Sequence, residues 1–243
     1  MIPQELLVAL VAVLAGAIAA ISGFGIGSFL TPLFASWLGT KVAVAAVAIP
    51  HVAATAYRFW ILRAHVDRRV LMSFGVTSAA GGLAGAFLHA KASNPALTLI
   101  FGFILVFVGV MGLSGLAQKL RFSGWRAWLV GATSGFLGGL VGNQGGLRSG
   151  AMLGFDVSKE AFIATATATG LLVDAARLPV YLATQGDDIL SVWPLVAVAT
   201  LGTLVGTIAG ASLLRRVPEA IYRQVVSAII LALGVFMLTR ANG

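Results

Sequence analysis

Two short stretches hold most of the chemistry this sequence can perform. "SGFGIGS" (22–28) and "GNQGGLRSG" (142–150) place glycines, serines, amides and one arginine inside otherwise apolar runs. Arg148 offers a planar fork of five donors that matches carboxylate or sulfonate oxygens. Asn143 and Gln144 carry amides that donate to an anion and accept from backbone. Ser22 and Ser28 have hydroxyls suited either to capping a half-helix or to touching a ligand. Gly23, Gly25, Gly27, Gly145 and Gly146 permit a sharp turn and a close approach of backbone amides. Asp174 and Arg177 are three apart, so they share one helix face and read either as a structural pair or as a carboxylate beside a substrate-binding arginine. His51, which follows Pro50, and Asp174 are the two groups suited to carrying a proton at depth. Arg58, close to Arg63, reads as a snorkelling side chain. Thr165, Thr167 and Thr169 in "ATATATG" alternate, which splits them between helix faces, and their default is back-bonding to the helix. "GATSG" (131–135) resembles a serine-nucleophile motif. Such a serine needs a histidine base within reach, and the histidines are His51, His65 and His89 alone. No catalytic residue is assigned.

The elements that position these residues follow from composition. The chain has 243 residues, 59% hydrophobic and 10% charged, whereas soluble domains carry about 25% charged residues. Its apolar residues form long continuous runs separated by short basic loops, the pattern of an all-α multi-pass membrane protein. A β-barrel would need alternation within segments of about ten residues. The net charge of +8 sits mainly in loops, where it orients the chain and meets anionic lipid; it does not point to nucleic acid. The absence of cysteine removes disulfides, thiolate metal sites and cysteine nucleophiles. Three histidines without a carboxylate cluster point to no metal, and no cofactor motif is present.

Ordinary spans fit 42–62, 70–89, 96–116, 160–182, 189–213 and 221–239. Residues 6–38 and 127–156 do not fit. The first of these lies in a charge-free run of about 35 residues between Glu5 and Lys41, too long for one crossing of about 20 and short for two. The glycine clusters fall inside these two segments. The halves also resemble each other: a shift of 119 residues carries Gly16 onto Gly135, Gly23 onto Gly142, Gly27 onto Gly146 and Arg58 onto Arg177. "GGLAGAF" (81–87) parallels "GTLVGTI" (202–208), and "LVFVGVMGL" (105–113) parallels "ILALGVFML" (230–238).

Loop charge then selects a topology. If 6–38 and 127–156 are re-entrant hairpins, the basic loops at Arg63/Arg68/Arg69, Lys119/Arg121/Arg126 and Arg215/Arg216/Arg223 all fall on the cytoplasmic side. The loop at Asp187 and Asp188 falls outside, with both termini. Each half, 1–118 and 119–243 of a single membrane domain, becomes one glycine-tipped broken hairpin plus three crossings, and the odd number inverts the second half. Two broken elements meeting at depth present free amides and half-helix N-termini, which suit an anion.

The paired elements "SGFGIGSFLTPLF" and "GLVGNQGGLRSGAMLGFDVSKEAFIATATATG" resemble the TauE/SafE family, the sulfite exporter or TSUP permeases, over essentially the whole chain. Leu38-Gly39 before Ala43, and Gly154-Phe155-Asp156 before Ala161, fit the family's helix-opening pattern. The resemblance implies secondary transport of small sulfur anions, such as sulfite or organosulfonates, in the inner membrane. It also implies that the tip glycines Gly23, Gly25, Gly27, Gly145 and Gly146 belong to the site. Asn143 and Gln144 replace glycines usual at the second tip, and Arg148 stands where the family often has an apolar residue. The expected partners are a small anion, membrane lipids and a coupling ion, proton or sodium; a homodimer is compatible with the sequence but nothing in it specifies one. The alternatives are an anion channel and a membrane subunit or sensor that moves nothing.

Overall fold

A computed structural model describes residues 3–22, 25–116, 124–143, 145, 148, 152, 155, 157–213 and 219–241. Among these residues there is no β-strand. The helices are α1 (Gln4–Ser22), α2 (Ile26–Leu38), α3 (Thr40–Leu62), α4 (Val76–Lys91), α5 (Asn94–Leu113), α6 (Trp125–Val141), α7 (Lys159–Ser191), α8 (Trp193–Leu213) and α9 (Glu219–Ala241). A 3-10 turn (Arg63–His65), a short helical turn (Arg68–Val70) and a π-helical segment (Leu71–Gly75) lead from α3 into α4.

Among the described residues, six stretches are long and apolar enough to cross a membrane: Gln4–Ile21, Thr40–His65, Arg68–Lys91, Asn94–Leu113, Glu160–Ser191 and Trp193–Gly210. The protein is a multi-pass helical membrane protein. The sequence reading treats α1 as half of a hairpin. The structure makes α1 a candidate span, because its 19 residues reach about 28 Å at 1.5 Å per residue. The glycines cluster at its end and not in its middle. α2, with 13 residues, reaches only about 20 Å. It is bounded by glycine at both ends, Gly25 (φ 135°) and Gly39 (φ 76°), a backbone region that side chains with a Cβ avoid.

One expectation is corrected. Asp187 and Asp188 were expected in a loop, yet both lie within α7, exposed, past a break at Gln185 (φ −133°, ψ 18°). Buried Ile189 packs into the main core cluster beside Val180, Tyr181 and Val196 and holds this extension in place. The connection to α8 shrinks to Val192.

The helices pack in pairs: α1 on α8, α4 on α6, α5 on α9 and α3 on α7. The first two pairs approach so closely that a Cβ would strike backbone carbonyls. Gly16 lies on the carbonyl of Thr203 and Gly206 on that of Val13; Gly135 lies on the carbonyl of Ser78 and Gly81 on that of Ala132. The contacts recur in matching register, Gly16 and Gly135 holding equivalent places, as do Gly81 and Gly206, four residues off the pairing of 81–87 with 202–208 expected from the sequence. In the third pair Gly109 meets Leu231 while Gly234 meets Val106. Small residues let helix backbones approach where lipid offers no hydrophobic drive between helices. The lipid-facing sides carry stripes such as Leu6, Leu10 and Leu14, or Leu201, Val205 and Ile208. Trp60, Trp125 and Trp193 sit exposed at helix ends, the position of an interfacial aromatic belt.

Lys41 fixes one corner. Its Nζ donates to the carbonyls of Ala90 (2.7 Å) and Ala92 (3.2 Å), and its backbone N–H donates to Asn94 Oδ1 (2.8 Å). The α2–α3 turn is thereby tied to the α4–α5 turn.

Gly206→Val and Gly81→Val should each lower stability by about 1–3 kcal/mol through overpacking. Gly186→Ala, whose Cβ meets nothing within 4 Å, should be neutral. Thermal unfolding in detergent distinguishes the three; equal midpoints would remove the close-packing account.

Candidate functional site

The α1 run and the α6 run both break at glycine, and the breaks meet. α2 starts at Gly25, which provides no capping side chain for the first amides of the helix. α6 ends at Val141, followed by Gly142 in the left-handed conformation (φ 75°, ψ 6°), whose N–H closes on the carbonyl of Gly138 at 3.0 Å. Gly27 lies against Gly142: a Cβ at 27 would come to 2.5 Å from the Gly142 carbonyl oxygen. Beside that contact Asn143 Nδ2 donates to Ser28 Oγ at 3.1 Å, both residues buried. Gly145, Arg148 and Met152 have helical backbone.

A small cavity lies at the junction, lined by Gly25, Gly27 and Ser28 from the first break, Gly142, Asn143, Gly145 and Arg148 from the second, and His51 from α3. Arg148 is only 4% exposed. Gly170 makes room for it, since a Cβ there would come to 2.8 Å from Arg148 Nη1. The final glycine of "ATATATG" therefore has a steric reason.

Behind the cavity stands a buried ion cluster. Asp174 is fully buried; its Oδ2 accepts from His51 Nδ1 at 2.7 Å, and its Oδ1 accepts from Arg177 Nε (3.0 Å) and Nη2 (2.8 Å). Bonding to a carboxylate makes Nδ1 a protonated nitrogen of His51 and leaves Nε2 as the ring nitrogen not engaged by Asp174. His51 retains 13% side-chain exposure, so it is the member of the cluster that borders the cavity. Pro50 removes one backbone donor in α3 just before it. Among the described buried residues the formal charges are Arg148, Arg177 and Asp174, two guanidiniums and one carboxylate.

Arg177 Nη1 continues to the carbonyl of Gly138 at 2.6 Å. The next two carbonyls of α6 are also taken by buried side chains: Tyr181 Oη donates to Gly139 O (2.5 Å) and His89 Nδ1 to Leu140 O (2.8 Å). The His89 and Tyr181 rings lie 4.8 Å apart, tilted at 52°.

The structure brings together most of the residues singled out in the sequence. Gly25, Gly27, Asn143, Gly145, Arg148 and His51 share one cavity, and Asp174 is one bond removed from it. Arg177 is not among the cavity residues: it pairs with Asp174 and caps α6, the structural alternative of the two read from its spacing. The side chain of Ser22, and Gly23, Gln144 and Gly146, lie outside the described residues. Thr167 back-bonds to Ile163 O (2.8 Å), and Thr165 Oγ1 accepts from the Asp67 N–H at 2.9 Å. Sequence reasoning missed Tyr181 and His89. Tyr181 carried a signal, because Asp174, Arg177 and Tyr181 fall at i, i+3 and i+7 on one helix face. His89 carried none.

The model of one protein family, described as Sulfite exporter TauE/SafE, matches residues 8–237, nearly the whole chain. No curated protein and no solved structure matches it.

Asp174→Asn should destabilise strongly, by about 3–5 kcal/mol, because it leaves a guanidinium buried without its carboxylate. Adding Arg177→Gln should recover part of that loss. A double-mutant cycle on thermal unfolding reads this; additive losses would show that the pair does not act as a unit.

Proposed function

The chain belongs to the sulfite exporter TauE/SafE family, and on that basis we propose that it is a secondary transporter of a small sulfur oxyanion, sulfite or an organosulfonate, across the inner membrane. The observation that carries the reading is the convergence of both glycine-rich breaks on one cavity lined by donors. Uncapped amides at the start of α2, the amide of Asn143, the hydroxyl of Ser28 and the guanidinium of Arg148 suit an anion. A dehydrated anion in lipid needs every lone pair met, and backbone donors meet them without adding full charges. The tip positions Gly23, Gln144 and Gly146, together with Ser22, belong to the same proposed site by their place in the chain.

Alternating access between inverted halves is the proposed mechanism. Its support is the matching register of the glycine contacts: α1 meets α8 as α6 meets α4, while α5 and α9 meet each other reciprocally. In this reading α2 and the stretch around Arg148 are the short re-entrant arms, and each half rocks about the shared cavity. His51 and Asp174 are the proposed proton carriers. Asp174 holds the His51 ring and fixes its tautomer, so Nε2 is the atom that takes a proton when an anion arrives beside it.

Uptake of radiolabelled sulfite into proteoliposomes tests the reading. Saturable uptake is expected, with Arg148→Ala lowering it about tenfold or more through loss of a charge-assisted hydrogen bond. Equal uptake by both proteins would remove Arg148 from the mechanism. Non-saturating currents in a planar bilayer would favour a channel instead. His51→Gln should abolish the internal acidification that accompanies uptake, followed with a trapped pH dye; unchanged acidification would free the mechanism of His51.

A further inference from the structure

The C-terminal end of α6 poses a problem for any anion bound next to it. The last four carbonyls of a helix lack intrahelical partners and concentrate about half a negative charge. α6 ends directly at Gly142 and Asn143, which line the cavity. A bare end there would repel the ligand that Arg148 and the amides attract.

Three consecutive carbonyls of this end each receive a buried side-chain donor: Gly138 from Arg177, Gly139 from Tyr181 and Leu140 from His89. The donors come from two helices, α7 and α4. Each is almost fully buried, Arg177 at 2% and Tyr181 and His89 at 0%. An ordinary helix end in a membrane protein is closed by its own backbone, by one capping residue or by interfacial water. Here the Gly142 N–H reaches Gly138 O alone, so Gly138 is met twice, by backbone and guanidinium, and Gly139 and Leu140 are met by a phenol and an imidazole brought from two other helices.

We propose that Arg177, Tyr181 and His89 are positioning residues for the anion site. They cancel the negative pole of α6 and aim its carbonyls away from the cavity, which makes the pocket tolerant of negative charge. The Asp174 carboxylate shares Arg177 with this device, so the cluster behind the cavity and the helix end form one connected unit. This proposal rests on reading the cavity as an anion site.

The signature is a dependence on ligand charge. The interaction of an anion with an exposed helix pole is proportional to its charge. A loss of about threefold in affinity for a singly charged anion therefore becomes about tenfold for a doubly charged one of similar size. A merely structural cap would weaken both anions by the same factor. The test is isothermal titration of the full chain in lipid nanodiscs with methanesulfonate, one charge, and sulfate, two charges. Tyr181→Phe should show the unequal loss, and His89→Leu should repeat it. His89→Asn, which keeps an amide donor near the place of Nδ1, should restore affinity, and this rescue is read on whichever anion binds. Equal losses for the two anions, or no loss, or no rescue by His89→Asn, overturn the proposal while leaving the anion site intact. If Tyr181→Phe does not fold, the two His89 variants decide alone. If the unaltered protein binds neither anion, the cavity reading fails and this proposal falls with it.

Discussion

Lipid offers no hydrogen bonds, so every interrupted helix must find its partners inside the protein. This structure meets that constraint in two opposite ways at one place. Where α6 stops, its carbonyls are consumed by Arg177, Tyr181, His89 and the Gly142 N–H. Where α2 starts, Gly25 supplies no cap, and the first residues of the helix face the cavity. Three acceptors at the end of α6 are closed off, and the start of α2 carries no side-chain cap. The cavity that results is rich in donors because of how its two helix ends are terminated, before Arg148 is considered.

Asp174 links that local chemistry to the fold. Alone at zero exposure, a carboxylate would be costly; here it is met by an imidazole on α3 and a guanidinium on its own helix. The chain of contacts runs from the cavity-facing His51 through Asp174 and Arg177 to the last turn of α6. It joins residues from 51, 174, 177 and 138, so three helices share one polar cluster in an otherwise apolar interior. Removing any one member leaves the others in lipid without their partner, which ties the site's electrostatics to the stability of the α3–α7 contact.

Much of this was legible in the sequence. Continuous apolar runs gave the candidate spans near 42–62, 70–89, 96–116 and 189–213 to within about four residues, because hydropathy reports directly on the solvent a helix must tolerate, whereas the span that starts at 160 runs nine residues past its expected end. The glycine clusters marked both breaks, and the three-residue spacing of Asp174 and Arg177 announced their pair. The long-range partners were not legible: nothing local to His51 points to Asp174, and nothing in "FLHAK" says that His89 reaches the end of α6. Asp187 and Asp188 misled, since adjacent acids read as a loop while the burial of Ile189 keeps the chain helical. A glycine cluster within a long apolar run shows that a break exists but not how unequal the two arms are, here 19 residues in α1 and 13 in α2.

The same glycines that permit close packing also limit where movement can occur. In the α1–α8 and α4–α6 pairs, glycine sits on backbone carbonyl along several turns, and such interdigitated surfaces resist sliding because each step restores a clash. Under the transport reading those pairs move as rigid units. The polar contact across the cavity, Asn143 to Ser28 between the two breaks, belongs to neither pair, while His51 to Asp174 lies within the packed α3–α7 pair. Both can be replaced by contacts to a bound anion or to a proton without exposing apolar surface to water. Under the transport reading, opening at the Asn143–Ser28 contact disrupts the least packing for the most access.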